Sequence, residues 1–143
     1  MTSRLSIGAL AALWLLAVTG MFAVAGAADE QKPYVVKDGK VDQHTYNGWR
    51  RYTESCLRCH GPDGAGSSYA PDLTDSLKHM SEDEFKDIVI NGRKNVNTAA
   101  ENVMPAFGEA EDVVTYLDDI YAYLKARSDG VLGRGRPERF EQK

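Results

Sequence analysis

Residues 56–60 read Cys56-Leu57-Arg58-Cys59-His60, and these five residues are the strongest indication of the fold in the sequence. The two cysteines of the sequence stand three positions apart, and a histidine directly follows the second one. This C-x-x-C-H pattern is typical of covalent haem attachment. It predicts that Cys56 and Cys59 form thioethers to one haem c and that His60 ligates the iron. On a helical turn, this spacing places both sulfurs at one edge of the haem ring.

Three other interpretations of the two cysteines are weaker. A disulfide is the default in an exported chain, but it leaves the adjacent His60 without a role. A zinc site would need two further ligands at the spacing of a zinc finger. A redox-active dithiol would not require His60 and usually belongs to a βαβ pattern, which the sequence lacks.

The N-terminal residues 1–28 have the pattern of a secretory signal peptide. Arg4 is the only charged residue before Asp29, residues 5–28 are apolar or small, and residues 25–27 read Ala-Gly-Ala. This small-x-small sequence favours cleavage next to it, which predicts that the chain is exported. The periplasm is the predicted compartment. The alternative is an uncleaved membrane anchor, because the apolar stretch is long enough to span a bilayer.

The charge of the chain excludes one class of partner. After residue 28 the sequence carries 21 acidic and 16 basic residues, which gives a formal net charge of −5. Nucleic-acid binding needs a concentrated basic surface, so no nucleic acid is expected as a partner. An acidic surface suits a basic partner protein instead. Large aliphatic residues are sparse and Trp49 is the one tryptophan after residue 28, so a haem would complete a modest core.

Periodicity and turn residues predict an all-α domain. A first helix over residues 43–59 runs into the haem-attachment stretch. Glycine, proline and asparagine cluster in residues 61–72 and 93–108, which predicts two loops. A last helix over residues 111–127 carries an apolar stripe, with acidic residues at its start and basic residues at its end. No stretch shows a strand pattern or an internal repeat.

A further helix is predicted to begin at Ser81. Ser81 and Glu84 have the spacing of a capping box, and Met80 with Phe85 forms the matching hydrophobic staple. Asn-Gly at residues 91–92 is a typical helix end.

The predicted organisation is a leader over residues 29–42, a helical haem-binding domain over residues 43–127 and a tail over residues 128–143. The leader is polar and is expected to be loose. The tail holds Arg134 between two glycines, and Arg136 follows. This composition favours a mobile tail, with contact to a partner as the alternative.

The second axial position of the iron has several candidate ligands. Met104 lies 44 residues after His60 in a predicted loop, and Pro105 behind it would stiffen that loop. Met80 lies only 20 residues after His60 and already serves as the hydrophobic staple. His44 and His79 are expected to be solvated surface residues. Met104 is therefore the predicted ligand, and thioether ligation opposite histidine raises the reduction potential.

The sequence resembles the small class I cytochromes c over about residues 43–127. The segments that carry this resemblance are Gly48-x-x-x-Tyr52-x-x-x-Cys56-x-x-Cys59-His60, Ala70-Pro71-Asp72-Leu73 and Val103-Met104-Pro105-Ala106-Phe107. The resemblance implies three to four helices around one covalently bound haem. It further implies that Gly48 lies where the first and last helices cross, under Tyr121 or Tyr123. The carbonyl of Pro71 would accept a hydrogen bond from His60, and Leu73 would pack on the haem.

A narrower resemblance is to periplasmic cytochromes c linked to the oxidation of methanol and other alcohols. It is carried by Tyr46-Asn47-Gly48-Trp49-Arg50-Arg51-Tyr52, Asn91-Gly92-Arg93-Lys94-Asn95-Val96-Asn97-Thr98 and Leu132-Gly133-Arg134-Gly135-Arg136-Pro137. It implies that the electron donor is a quinoprotein alcohol dehydrogenase that carries pyrroloquinoline quinone. Some of these cytochromes have two further cysteines, which this sequence lacks.

The resulting prediction is a periplasmic electron carrier that is not an enzyme and that passes electrons to a downstream cytochrome or oxidase. The first alternative is a general respiratory shuttle. The second is a haem subunit of a membrane complex, which applies if residues 5–28 stay uncleaved. The third is a ligand-binding haem protein, which would require that Met104 does not bind the iron.

Overall fold

The computed structural model of the chain describes residues 31–96 and 101–140. The signal peptide and the alternative anchor, both predicted within residues 1–28, lie outside this described part. None of the helices in the described part combines the length and the apolar character needed to cross a bilayer.

Six α-helices are the main regular elements of the described structure. Helix α1, Gln43–Ser55, begins at Asp42, whose carboxylate accepts a hydrogen bond from the backbone N–H of Thr45 at 3.1 Å. The predicted helix over residues 43–59 is divided at Cys56, and the short helix α2, Leu57–His60, follows. The other helices are α3 (Leu73–Ser76), α4 (Glu82–Asn91), α5 (Glu111–Thr115) and α6 (Leu117–Ser128). The predicted last helix is thus two helices, which meet at Tyr116.

Helix α4 begins and ends as its sequence predicts. The side chain of Ser81 accepts a hydrogen bond from the backbone N–H of Glu84 at 3.2 Å. Phe85 is buried, and Met80 packs half-buried against the same core, as expected of a hydrophobic staple. The helix ends at Gly92, which has a φ of 73°.

Helices α1 and α6 cross at Gly48, and their crossing is the main interface of the core. A Cβ atom added at Gly48 would lie 1.8 Å from the carbonyl oxygen of Asp119 and 2.9 Å from Cβ of Tyr123. The close approach that the family resemblance implies is therefore present, with Tyr123 over the glycine. Tyr121 packs instead against Phe85, with the ring centroids 5.4 Å apart.

The chain also contains short strands, for which the sequence shows no pattern. Strand β3, Arg93–Val96, pairs antiparallel with β4, Glu101–Met104, and Arg93 lies opposite Met104. These strands replace part of the loop predicted over residues 93–108. The segment has no alternation of apolar and polar residues, so its backbone pairing was not visible in the sequence.

Leader and tail meet in a second small sheet. Its strands are β1 (Val36–Lys37), β2 (Lys40–Val41) and β5 (Glu138–Arg139). β1 and β2 are antiparallel, whereas β5 pairs parallel with β2. Val41 is fully buried. The expectations of a loose leader and a mobile tail are therefore wrong for these residues.

Asp129, directly after α6, ties the leader to the domain. Its carboxylate accepts hydrogen bonds from Tyr34 at 2.6 Å, from Lys32 at 3.1 Å and from Lys125 at 2.5 Å. Burial alone would raise the pKa of Asp129, but these three donors outweigh it and lower the pKa to about 2. The contact therefore stabilises the folded chain when the carboxylate is ionised.

Replacing Asp129 with asparagine is expected to lower the free energy of unfolding by about 2 kcal/mol at pH 7. Because the folded-state pKa lies below the usual 3.8, this stabilisation is fully present above about pH 5 and is lost as the pH falls towards 2. Urea unfolding of the parent protein and of the variant at pH 7 and at pH 2 measures the difference in the free energy of unfolding. Asp75→Asn is the control, since it removes only an exposed ion pair with Lys78 and should change stability by less than about 0.5 kcal/mol. Equal effects of Asp129→Asn at pH 7 and pH 2 would contradict the assignment.

Candidate haem site

Both cysteines lie on one short helical turn. Cys56 is the N-cap of α2, and its carbonyl oxygen accepts backbone hydrogen bonds from Cys59 at 3.1 Å and from His60 at 3.0 Å. Neither thiol is in a disulfide. The two sulfurs are therefore available together, as attachment to the two vinyl groups of a haem requires.

His60 is buried and its ring is held by one hydrogen bond. The imidazole is only 7% exposed, and its Nδ1 lies 3.2 Å from the carbonyl oxygen of Pro71. Since a carbonyl can only accept, Nδ1 carries the proton and Nε2 carries the lone pair. Burial lowers the pKa of His60, and the hydrogen bond to Pro71 opposes this only in part. The ring is therefore neutral near pH 7, the form in which Nε2 can ligate iron.

The protonation of Cys56 disfavours the redox-dithiol alternative. Burial and, to a smaller extent, the neighbouring Cys59 raise the pKa of the Cys56 thiol to about 12. Dithiol oxidoreductases need a lowered thiol pKa, because the thiolate is the reactive form. Within residues 31–96 and 101–140, no three side chains of the histidine, cysteine or acidic types form a group suited to a metal ion.

Tyr52 supports the loop that follows His60. Its side chain is almost fully buried, and its hydroxyl donates to the carbonyl of Gly61 and accepts from the N–H of Gly64 at 3.0 Å. Burial raises the pKa of Tyr52 well above its usual range, so the hydroxyl keeps its proton. The sequence interpretation used Tyr52 only for its spacing before Cys56. This support is a contact between the Tyr52 hydroxyl and backbone groups 9 and 12 positions further along the chain, for which the sequence has no signal.

Several apolar side chains that pack on the core stay partly exposed and could contact a flat apolar ring. Leu73 lies close to the loop, since a Cβ added at Gly64 would be 3.7 Å from Cβ of Leu73. Leu73, Met80, Met104 and Phe107 all pack against the core while remaining partly exposed. A haem offers the apolar surface that such side chains contact, so the residues present fit this group.

Met104 stands on a well-anchored backbone. It ends β4 opposite Arg93, and a Cβ added at Gly92 would lie 2.7 Å from the carbonyl oxygen of Met104. On the other side of Pro105, the N–H of Phe107 donates to the carbonyl of Val89 at 2.9 Å. The backbone is thus fixed on both sides of Met104.

The two other histidines differ from each other. His79 is exposed, as predicted. Nδ1 of His44 contacts the carboxylate of Asp119, so His44 is paired rather than freely solvated.

The fold and the C-x-x-C-H turn define a c-type cytochrome. Residues 44–124, more than half of the chain, match the family model described as cytochrome c oxidase, cbb3-type, subunit III. The chain belongs to this family, and it is a c-type cytochrome whose one C-x-x-C-H motif implies one covalently bound haem c. The prediction of an all-α class I cytochrome c fold is confirmed, with more and shorter helices than expected.

Three similar proteins are also named as cytochromes. The chain is 51% identical over 109 residues to cytochrome c-553I of Paracoccus denitrificans, a match that covers 76% of this chain. It is 43% identical over 100 residues to cytochrome c-555 of Methylococcus capsulatus (strain ATCC 33009 / NCIMB 11132 / Bath), covering 69% of this chain and 75% of the relative. Its structure resembles that of the c-type cytochrome XoxG from Methylobacterium extorquens AM1, with a TM-score of 0.67 and 42% identity, over 81% of this chain and 77% of that one.

The match spans about half of one relative. It covers 48% of the length of the Paracoccus denitrificans cytochrome.

Proposed function

We propose that this cytochrome is a periplasmic carrier that accepts single electrons from a quinoprotein alcohol dehydrogenase, with methanol or another alcohol as the dehydrogenase's substrate. It then delivers them to a downstream cytochrome or oxidase. When bound, the haem supplies one-electron exchange between ferric and ferrous iron. In this proposal Nε2 of His60 and the sulfur of Met104 are the axial ligands.

The observation that carries the carrier role is the way the two ligand residues are held. Burial keeps His60 neutral, its ring is oriented by the bond to Pro71, and Met104 ends a strand whose backbone is fixed on both sides. If both residues held the iron, a substrate or a gas would have no position to bind. Leu73 packs beside the attachment loop and would exclude water from the ring.

The alcohol dehydrogenase as donor is supported by the sequence resemblance in residues 46–52, 91–98 and 132–137. Oxidation of an alcohol to an aldehyde releases two electrons, so each turnover of such a dehydrogenase would reduce two molecules of this cytochrome. Export to the periplasm is supported by the signal-like residues 1–28.

We expect fast reduction by the dehydrogenase of the same organism, slowed by salt. The net charge of −5 after residue 28 favours a basic docking surface on the partner. The rate should fall as added salt shortens the screening length from about 30 Å to about 8 Å. Stopped-flow mixing of reduced dehydrogenase with the oxidised cytochrome measures it. Reduction by an uncharged hydroquinone is the control and should not depend on salt.

Each outcome of this experiment has a distinct meaning. Fast reduction that ignores salt would keep the donor and remove the electrostatic argument. Failure to accept electrons from any quinoprotein dehydrogenase, together with ready reduction by a quinol-oxidising membrane complex, would favour the respiratory alternative. The description of the matching family as an oxidase subunit is the observation that favours this second candidate.

A further inference from the structure

The C-terminal tail reaches the loop that directly follows the haem-attachment turn. The carboxylate of Asp63 in this loop accepts hydrogen bonds from Nε of Arg134 at 3.2 Å and from the N–H of Gly135 at 2.9 Å. The backbone carbonyl of Asp63 accepts another, from Nε of Arg127 at 3.4 Å. Three groups from the last part of the chain therefore converge on one residue of the loop.

Asp63 has a backbone conformation that needs such support. Its φ is 61°, in the left-handed region, and its neighbours with positive φ in this loop are the glycines 61, 64 and 66. Aspartate tolerates this region better than most side chains, but non-glycine residues remain there only where their surroundings hold them. The bonds from Arg134 and Gly135 act on this one non-glycine position.

The exposures of the two charged partners differ. The side chain of Asp63 is 12% exposed, whereas that of Arg134 is 70% exposed. A carboxylate so far removed from water needs hydrogen-bond donors, and the tail provides two of them. The contact thus matters more to the loop than to the arginine.

The same loop is bonded to the backbone of His60. The N–H of Gly66 donates to the carbonyl of His60 at 2.8 Å, and the Tyr52 hydroxyl joins Gly61 to Gly64. A change in the conformation at Asp63 therefore passes to His60 through a short stretch of bonded backbone.

We propose that Asp63 is a positioning residue of the haem site, latched by residues 134–135 of the tail so that the loop holds His60 against Pro71. The tail is then part of the scaffold of the site. This inference rests on His60 as the axial ligand proposed above and is independent of the redox partner.

Two substitutions at Asp63 separate the latch from the backbone conformation. Glycine and asparagine both accept a positive φ, but only asparagine keeps a side-chain oxygen that can accept from Gly135. In the reduced holoprotein we expect the amide of Gly66 to exchange with solvent about tenfold faster in Asp63→Gly. In Asp63→Asn the rate should stay within about threefold of the parent protein. NMR-detected hydrogen exchange measures both.

A second readout follows the ring of His60 itself. Its Nδ1 proton should exchange faster in Asp63→Gly, because the contact with Pro71 loosens. Arg134→Gln changes an exposed side chain, so it gives a milder test in a protein that keeps its fold. Glu138→Gln is the matched control, since it removes another tail carboxylate, which pairs with Lys40 of the leader at 3.6 Å rather than with the loop. Glu138→Gln should leave the exchange rates of the Gly66 amide and of the His60 ring proton unchanged.

One result would overturn the latch. This result is that the Gly66 amide and the His60 ring proton exchange at parental rates in Asp63→Gly, whereas the Phe140 amide exchanges faster. The Phe140 amide is bonded to the carbonyl of Val41. The bonds would then anchor only the tail. Failure of the haem site itself is distinguishable, because the parent protein would then lack the spectrum of histidine ligation.

Discussion

Gly48→Ala is expected to destabilise the protein by at least about 3 kcal/mol, a large share of the 5–15 kcal/mol typical of a folded domain. The added methyl group would lie 1.8 Å from the carbonyl oxygen of Asp119 and 2.4 Å from its carbonyl carbon. Both are backbone atoms of α6, so no side-chain rotation can relieve the clash. Helices α1 and α6 would have to separate along their main interface. Urea unfolding of the holoprotein, followed by far-UV circular dichroism, measures the loss.

Gly133→Ala is the matched control for this experiment. A Cβ atom added at Gly133 would have no atom of residues 31–96 or 101–140 within 4 Å, and the φ of Gly133 is not in the left-handed region. Its stability should stay within about 0.5 kcal/mol of the parent protein. Similar stabilities of the two alanine variants would show that the helices do not cross as closely as described.

Met104→Ala is expected to change the electronic properties of the protein without unfolding it. The oxidised protein should show a weak absorption band at the red end of the spectrum, from charge transfer between sulfur and iron, and the variant should lack it. Loss of a thioether ligand should also lower the reduction potential by on the order of 0.2 V, because axial ligands set haem potentials over about 0.8 V. Absorption spectroscopy and a redox titration measure the two effects.

Met80→Ala distinguishes the two candidate methionines. Both are half-buried against the core, but Met80 directly precedes Ser81, the N-cap of α4. Its substitution should leave the band in place and cost about 0.5–2 kcal/mol of stability. If the band vanished in Met80→Ala and persisted in Met104→Ala, the proposed ligand would be wrong.

Local sequence signals predicted the elements that depend on neighbouring residues. Helix α4 is the best example, because its cap at Ser81 and its end at Gly92 are contacts within a few residues. The attachment turn is another, since its chemistry lies within five consecutive residues. The position of Gly48 came only from the family resemblance, because nothing local shows which helix will approach a glycine.

The missed features depend on distant contacts. Arg134 lies between two glycines and suggests mobility, but Asp63, 71 positions away, binds its side chain. Arg136 likewise donates to the hydroxyl of Tyr46 at 2.6 Å, and its guanidinium lies 5.5 Å from the ring of Trp49. The break at Tyr116 has no glycine or proline to mark it. Such features follow from the tertiary fold rather than from composition.

The crossing of α1 and α6 also sets an order of events during synthesis. It joins residues 48 and 119, so the largest interface must close a loop that contains the whole attachment site. A chain made from its N-terminus presents Cys56 and Cys59 well before α6 is complete. A chain that ends before α6 would therefore hold both cysteines but lack the main interface of the core.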